Sequence, residues 1–188
     1  MSKSCVTSRA SEPTSAQLKE LFAQIEVGRV TKERLQEFLR DQDLAFPSYI
    51  VSVNYDLMVE QLVEAGKYDG ANDNITGQHF PLNKRGKEQV EIFLMPIRET
   101  LDTKIVIANI IAFNLGRPNV KQGLSLGVHY PDLQLEGPIA ILCEPWRRPH
   151  GFVFVPYLDR DGGDRNLNLA WFEGDWDPDW RFAAVRRA

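Results

Sequence analysis

Two cysteines in 188 residues exclude a disulfide framework. Cys5 stands in a polar opening, MSKSCVTSRASEPTS, and Cys143 inside the apolar run PIAILCEPW. Free thiols in such settings point to a reducing compartment, and with it a cytoplasmic location. No stretch is apolar over the length needed to cross a bilayer. The opening also lacks the apolar h-region of a secretory signal. Net positive charge is missing too: 22 Lys and Arg against 26 Asp and Glu leave a formal charge of -4. No bulk attraction to nucleic acid or to an anionic membrane is expected. The three histidines, His79, His129 and His150, match no metal-ligand spacing. There is no nucleophile-elbow serine and no Gly-rich phosphate loop after a strand.

What is present suits a globular chain. Hydrophobic residues make up 43% and charged ones 26%, which implies one real core with a small appendage. Residues 1–13 read as a flexible tail. From Thr14, Leu18, Leu21, Phe22 and Ile25 share a helical face, Thr14 and Gln17 fit a capping box, and Gly28 supplies a stop. Thr31 then N-caps a second helix to about Arg40, giving a helical hairpin over 14–41. Five basic residues there face five acidic ones, too neutral for a DNA-binding helix-turn-helix. The hairpin is read as packing on the main domain or on a partner.

After Pro47 the texture changes, and SYIVSVNYD predicts a strand followed by a short helix closed by Gly66. A polar loop of about twenty residues, KYDGANDNITGQHFPLNKRGK, comes next. VEIFLM reads as a strand, Thr100 to Leu115 as a well-buried helix, and Pro118 to about Leu126 as a further helix weakened by Gly123. From Pro138 onwards the pattern is β. PIAILCEPW suits a central strand, and GFVFVPYL an edge strand or bulge because of Pro156. DRDGGDRN is a hairpin tip. In RNLNLAWF and WRFAAVR, alternation places Leu167, Leu169 and Trp171, and then Trp180, Phe182 and Ala184, in the core. Trp176, in the turn GDWDPD, has no such phase. The order of elements gives an α+β class ending in antiparallel strands.

The segments GRVTKERLQEFLR, VNYDLMVEQLVEAGKYDGANDNITGQHFP, LGRPNVKQGLSLGVHYPDL and VPYLDRDGGDRNLNLAWFEGDWDPDWRFAAVRR resemble a family of uncharacterised bacterial proteins. The C-terminal part, with LGRPNVKQGLSL as a helix, GPIAILCEPW as a strand and a last strand ending RFAAVR, is similar to the C-type lectin-like fold of formylglycine-generating, sulfatase-modifying enzymes. That resemblance implies a C-type lectin-like α+β domain over 48–188. It implies no activity, because fold does not fix function. The enzymes' cysteine pair is absent, and Glu144-Pro145-Trp146 places Trp where calcium-dependent lectins need a side-chain oxygen.

The function expected is therefore a non-enzymatic recognition module for a protein or small polar ligand, a glycan among them. The binding residues would be Trp146, Arg148, His150, Trp176, Asp177 and Asp179, on loops of a β scaffold. Asp159, Asp161 and Asp164 could gather Ca²⁺, although a hairpin tip accounts for them equally; no other cofactor is implied. One alternative is an enzyme of the sulfatase-modifying type with a non-standard site near Asp73 and His79. Another is an assembly protein that associates through its helical hairpin. Cys143 with His150 could pair as nucleophile and base, but a thiol in an apolar strand is read as inert. The arginines interleaved with aromatics near the C-terminus are read as solvated, with the neighbouring aspartates as counter-charge.

Overall fold

A computed structural model describes residues 15–29, 31 and 46–187, and the chain divides into two units between Asp43 and Leu44. In the first unit, α1 (Ser15–Glu26) ends at Gly28, which takes φ 70° and donates its N–H to Ile25 O at 3.0 Å. Phe22, on the expected apolar stripe, is 61% exposed. The expected tail, the capping role of Thr14 and residues 32–40 of the expected second helix lie outside the described residues.

The second unit runs β1 (Ser48–Asn54), α2 (Val59–Ala65), β2 (Gly70–Ala71), β3 (Lys87–Pro96), β4 (Leu101–Asp102), α3 (Thr103–Ala112), β5 (Leu115–Gly116), α4 (Val120–His129), a 3-10 helix (Pro131–Glu136), β6 (Ile139–Ala140), β7 (Trp146–Arg147), β8 (Val153–Asp161), β9 (Asp164–Trp171), β10 (Asp175–Trp176) and β11 (Arg181–Arg186). It is α+β. One mixed sheet has the order β1-β3-β11-β6-β8-β9-β2, with β5 added to β11 and β7 to β8; β4 and β10 form a separate pair.

Both faces of the sheet are covered, and the strand sequences show why. Along β3, Ile92 and Leu94 join one apolar cluster while Phe93 and Met95 join the other. A continuous apolar strand of this kind has no solvent face. The first cluster adds Val59 and Leu62 of α2, Val120, Leu124 and Leu126 of α4, and the loop anchors Ile75 and Phe80. The second adds Val106 and Ile110 of α3 together with Trp176.

Several expectations are corrected here. The closing strands are not all antiparallel: β11 lies between β3, antiparallel, and β6, parallel. Phe182, Ala183 and Ala184 are fully buried, so this strand belongs in the middle of the sheet. PIAILCEPW is not one strand, because only Ile139–Ala140 and Trp146–Arg147 pair with β8. The register carries Ile141 opposite Pro156: Ile141 N–H donates to Pro156 O at 2.9 Å, but proline has no N–H to return. The Ile141 carbonyl instead accepts the N–H of Cys143 at 2.7 Å, and the strand breaks there. Pro156 thus sits inside the sheet, at the break, not on an edge.

The third correction concerns the tryptophans. Trp171, expected in the core, is 50% exposed at the end of β9, packed edge-on against Phe152. Trp176, expected on the binding surface, is 2% exposed and packs edge-on against both Trp180 and Phe182. Nor is Arg165 a solvated surface charge. Its guanidinium donates to the carbonyls of Gly66 (2.8 Å), Gly127 (2.9 Å) and Pro131 (3.1 Å) and to Gln134 Oε1 (3.1 Å). A cation at the C-terminal ends of α2 and α4 complements both helix dipoles.

Candidate functional site: two pockets beside residues 77–85

The long polar loop expected from the sequence is held in place along its length. Gly70–Ala71 pairs in parallel with β9, and Asn72 N–H donates to Leu167 O at 2.9 Å. Asn72 Oδ1 accepts from the backbone and side chain of Asn74 at 3.1 and 3.0 Å, an Asx turn. Ile75 and Phe80 are buried as anchors. The segment that follows separates two concavities.

The first, of about 280 Å³, is lined by His79, Pro81, Asn119, Cys143, Glu144 and Trp146 among others. The His79 ring stacks on the Trp146 indole, centroids 4.0 Å apart and 15° from parallel. Its Nδ1 lies 2.9 Å from Asn74 O. A carbonyl there can only accept, so Nδ1 carries the proton and Nε2, in the neutral ring, is an acceptor with no protein partner among the described residues. The Arg148 guanidinium stands over Trp146 (5.1 Å) and Phe154 (4.7 Å). The indole is therefore held by a stack and a cation–π contact rather than presented as a free face.

Cys143 is buried and its thiol is pushed up to about 12, chiefly by desolvation, with Arg117 acting against this. It stays protonated at neutral pH and is no thiolate nucleophile. The Arg117 guanidinium donates to the carbonyls of Leu142, at 2.6 Å, and Cys143, occupying the backbone where β6 has broken off.

The second concavity, of about 370 Å³, lies across the same segment and shares Gln78, Phe80 and Leu82 with the first. Its walls carry Lys84, Arg85 and Lys121 against Asp56 and Glu60. Asp56 Oδ1 accepts from Gly86 N–H (3.0 Å), and Glu60 Oε1 from Gly77 N–H (2.9 Å). The two carboxylates thus pin both ends of the segment. Lys121 is 7% exposed, and its Nζ donates to Tyr55 O at 2.7 Å.

Of the residues singled out from sequence, Trp146 and Arg148 are brought together, and His79 joins them. His150 is exposed in the turn after β7. Trp176 lies in the α3-side cluster, whereas Trp146 packs on the α4-side cluster, so the expected six-residue surface does not form. Asp177 and Asp179 are exposed, Asp177 accepting from Thr100 Oγ1 at 3.2 Å. Asp161 and Asp164 face each other across the hairpin and Asp159 faces Asn166. Among the described residues, no three of His, Cys, Asp or Glu are grouped to hold a metal ion. Asp73 is exposed and does not line the His79 pocket.

Lys121 and Arg85 had escaped the sequence reading because no motif marks them. The available signal was a lysine in the first turn of a helix, where acidic side chains are favoured. Among the described residues, no helix is long and apolar enough to cross a membrane. Comparison with protein-family models, with curated proteins and with solved structures returned no match.

Proposed function

We propose that the chain is a non-enzymatic recognition module that binds a small polar ligand, or a polar side chain of a partner protein, in the His79–Trp146 pocket. One observation carries this reading: His79 is fixed in tautomer and orientation by Asn74 and Trp146, and its second nitrogen has no protein partner. A pre-ordered acceptor in a mostly apolar concavity is how small-ligand sites obtain orientation at little entropic cost. Glu144, also on the wall, supplies a second acceptor, which favours ligands rich in donors. Hydroxyl-bearing ligands, glycans included, fit that requirement, in keeping with the resemblance to C-type lectin-like folds. A cytoplasmic setting suits the same reading, because the thiol of Cys143 is free.

The test is an NMR screen of monosaccharides, amino acids and nucleosides against the full chain, following the Trp146 indole N–H and the His79 ring. Binders should perturb both signals, and His79→Ala should weaken them by at least about tenfold. A screen in which no compound moves these signals, or in which His79→Ala binds as well as the wild type, overturns the proposal.

The assembly reading has one observation of its own, the exposure of Phe22 (61%) and Val27 (66%) on and just after α1. Light scattering decides it: a full-length oligomer that becomes monomeric without residues 1–43 supports it, and a monomer in both forms removes it. Of the two residues named for the enzymatic alternative, His79 lines a pocket and Asp73 does not.

A further inference from the structure

We propose that the pocket of about 370 Å³ enclosed by the turn after β1, residues 77–85 and the first turn of α4 is a site for a small oxyanion, a carboxylate or a phosphate, contacted by Lys121 and Arg85. It lies beside the His79–Trp146 pocket but does not depend on it.

The argument begins with where Lys121 stands. It is the second residue of α4, where the helix dipole presents its positive end and acidic side chains are favoured. It is also nearly buried, which penalises a charge left without a counter-ion. Its one hydrogen bond among the described residues, to Tyr55 O, leaves two ammonium protons without an acceptor there. Among the described residues the ion pairs are Lys84–Glu88, Arg181–Glu136 and Arg186–Glu91, so Lys121 has no carboxylate in contact.

Arg85 makes this worse. It lines the same pocket, forms no hydrogen bond or ion pair among the described residues, and, after burial, is the next cause holding the Lys121 pKa below its ordinary value. Two cations thus line one concavity, Lys121 nearly buried in its wall and Arg85 exposed on it. Asp56 and Glu60 favour the charge on Lys121 without touching it, and one oxygen of each accepts a backbone N–H at one end of the 77–86 segment. They frame the pocket. Lys84 is likewise committed, to Glu88 and to the face of Tyr55 at 4.3 Å.

A bound oxyanion would accept from Lys121 and from the Arg85 fork, supplying the contacting acceptor that neither Asp56 nor Glu60 provides, in a partly desolvated place where such bonds are strongest. With Lys84 paired to Glu88, Lys121 and Arg85 stand against Asp56 and Glu60 with no net excess of positive charge, so a free inorganic ion should bind weakly, around 1 mM. A larger ligand carrying that group would use it as one anchor.

The experiment follows backbone amide shifts of Gly77, Gly86 and Lys121 in the full chain while inorganic phosphate or acetate is added, with chloride at matched ionic strength as control. Saturable shifts with phosphate or acetate but not chloride are expected, and the ion that binds tighter identifies the ligand class. Arg85→Gln and Lys121→Met should each weaken binding by about tenfold; if Lys121→Met does not fold, Arg85→Gln decides alone, because Arg85 is exposed. His79→Ala should leave the response intact, which separates this site from the neighbouring pocket. No shift beyond chloride, or equal shifts in wild type and Arg85→Gln, overturns the proposal.

Discussion

The indole Nε1 of Trp176 donates to Thr103 Oγ1 at 2.8 Å, and the Thr103 hydroxyl donates onward to the carbonyl of Phe172. This relay joins the first residue of α3 to the turn before β10, and both side chains are buried. It explains how a tryptophan from the turn GDWDPD can lie in the core, since a buried indole N–H needs an acceptor. Thr103→Val keeps the shape and removes the acceptor. It should lower stability by ~1–3 kcal/mol in chemical denaturation, whereas Thr103→Ser, which keeps the hydroxyl, should lose less. Equal losses would mean that packing, not the relay, holds Trp176.

That pair also shows where sequence reasoning stopped. The strands VEIFLM and RFAAVR and the Gly66 and Gly28 stops were legible because their signals are local: periodicity and a cap. Trp171 and Trp176 came out inverted because alternation along a strand does not say where the sheet ends. Trp171 is in phase with Leu167, yet it lies beyond the covered part of β9. Trp176 finds its hydrogen-bond acceptor in Thr103, 73 residues away. The sites followed the same rule. Trp146 was recognisable as an aromatic near a turn, but His79, 67 residues earlier, becomes its partner only once β2 docks the loop on β9. Lys121 and Arg85 converge through the packing of α4 beside the same loop, and no local pattern records that.

Stability should fall as pH rises above about 9, with Cys143 a principal cause. Its thiol is held up to about 12 from an ordinary 9.0 by burial, so in that window the unfolded chain gives up a proton that the folded chain keeps. Stability from this group is therefore complete below about pH 9 and is lost as pH climbs towards 12. Tyr68 and Tyr157, both raised mainly by burial, act in the same direction from 10.0 upwards. Lys121, lowered by burial and by Arg85, acts oppositely up to 10.5. Urea midpoints between pH 8 and 11 should decline for the wild type and decline less for Cys143→Ala; parallel slopes would show that the thiol contributes nothing.

Calcium should not raise the melting temperature of chelator-treated protein. A calcium ion takes six to eight oxygens, and the β8–β9 tip offers Asp161 and Asp164 as cross-strand neighbours with Asp159 further back, opposite Asn166. The turn itself, with Gly162 at φ 61°, is accounted for by hairpin geometry. A saturable upward shift with calcium, lost in Asp161→Asn, would restore the metal site.

Gly123→Ala should destabilise the protein even though alanine is the better helix former by ~1 kcal/mol. A Cβ at position 123 would come within 2.3 Å of Ile141 Cγ2 and 2.7 Å of Cγ1, closer than packed atoms can stand. Ile141 is fully buried in the stretch where β6 breaks off, so it cannot swing aside cheaply. The glycine that looked like a weakness in the helix is what lets α4 lie against the sheet beside both pockets. A double-mutant cycle isolates the contact. In an Ile141→Ala background the clash disappears and only the propensity term remains, so Gly123→Ala should turn from destabilising to stabilising by up to ~1 kcal/mol. The same sign in both backgrounds would rule out the Ile141 contact as the reason for glycine.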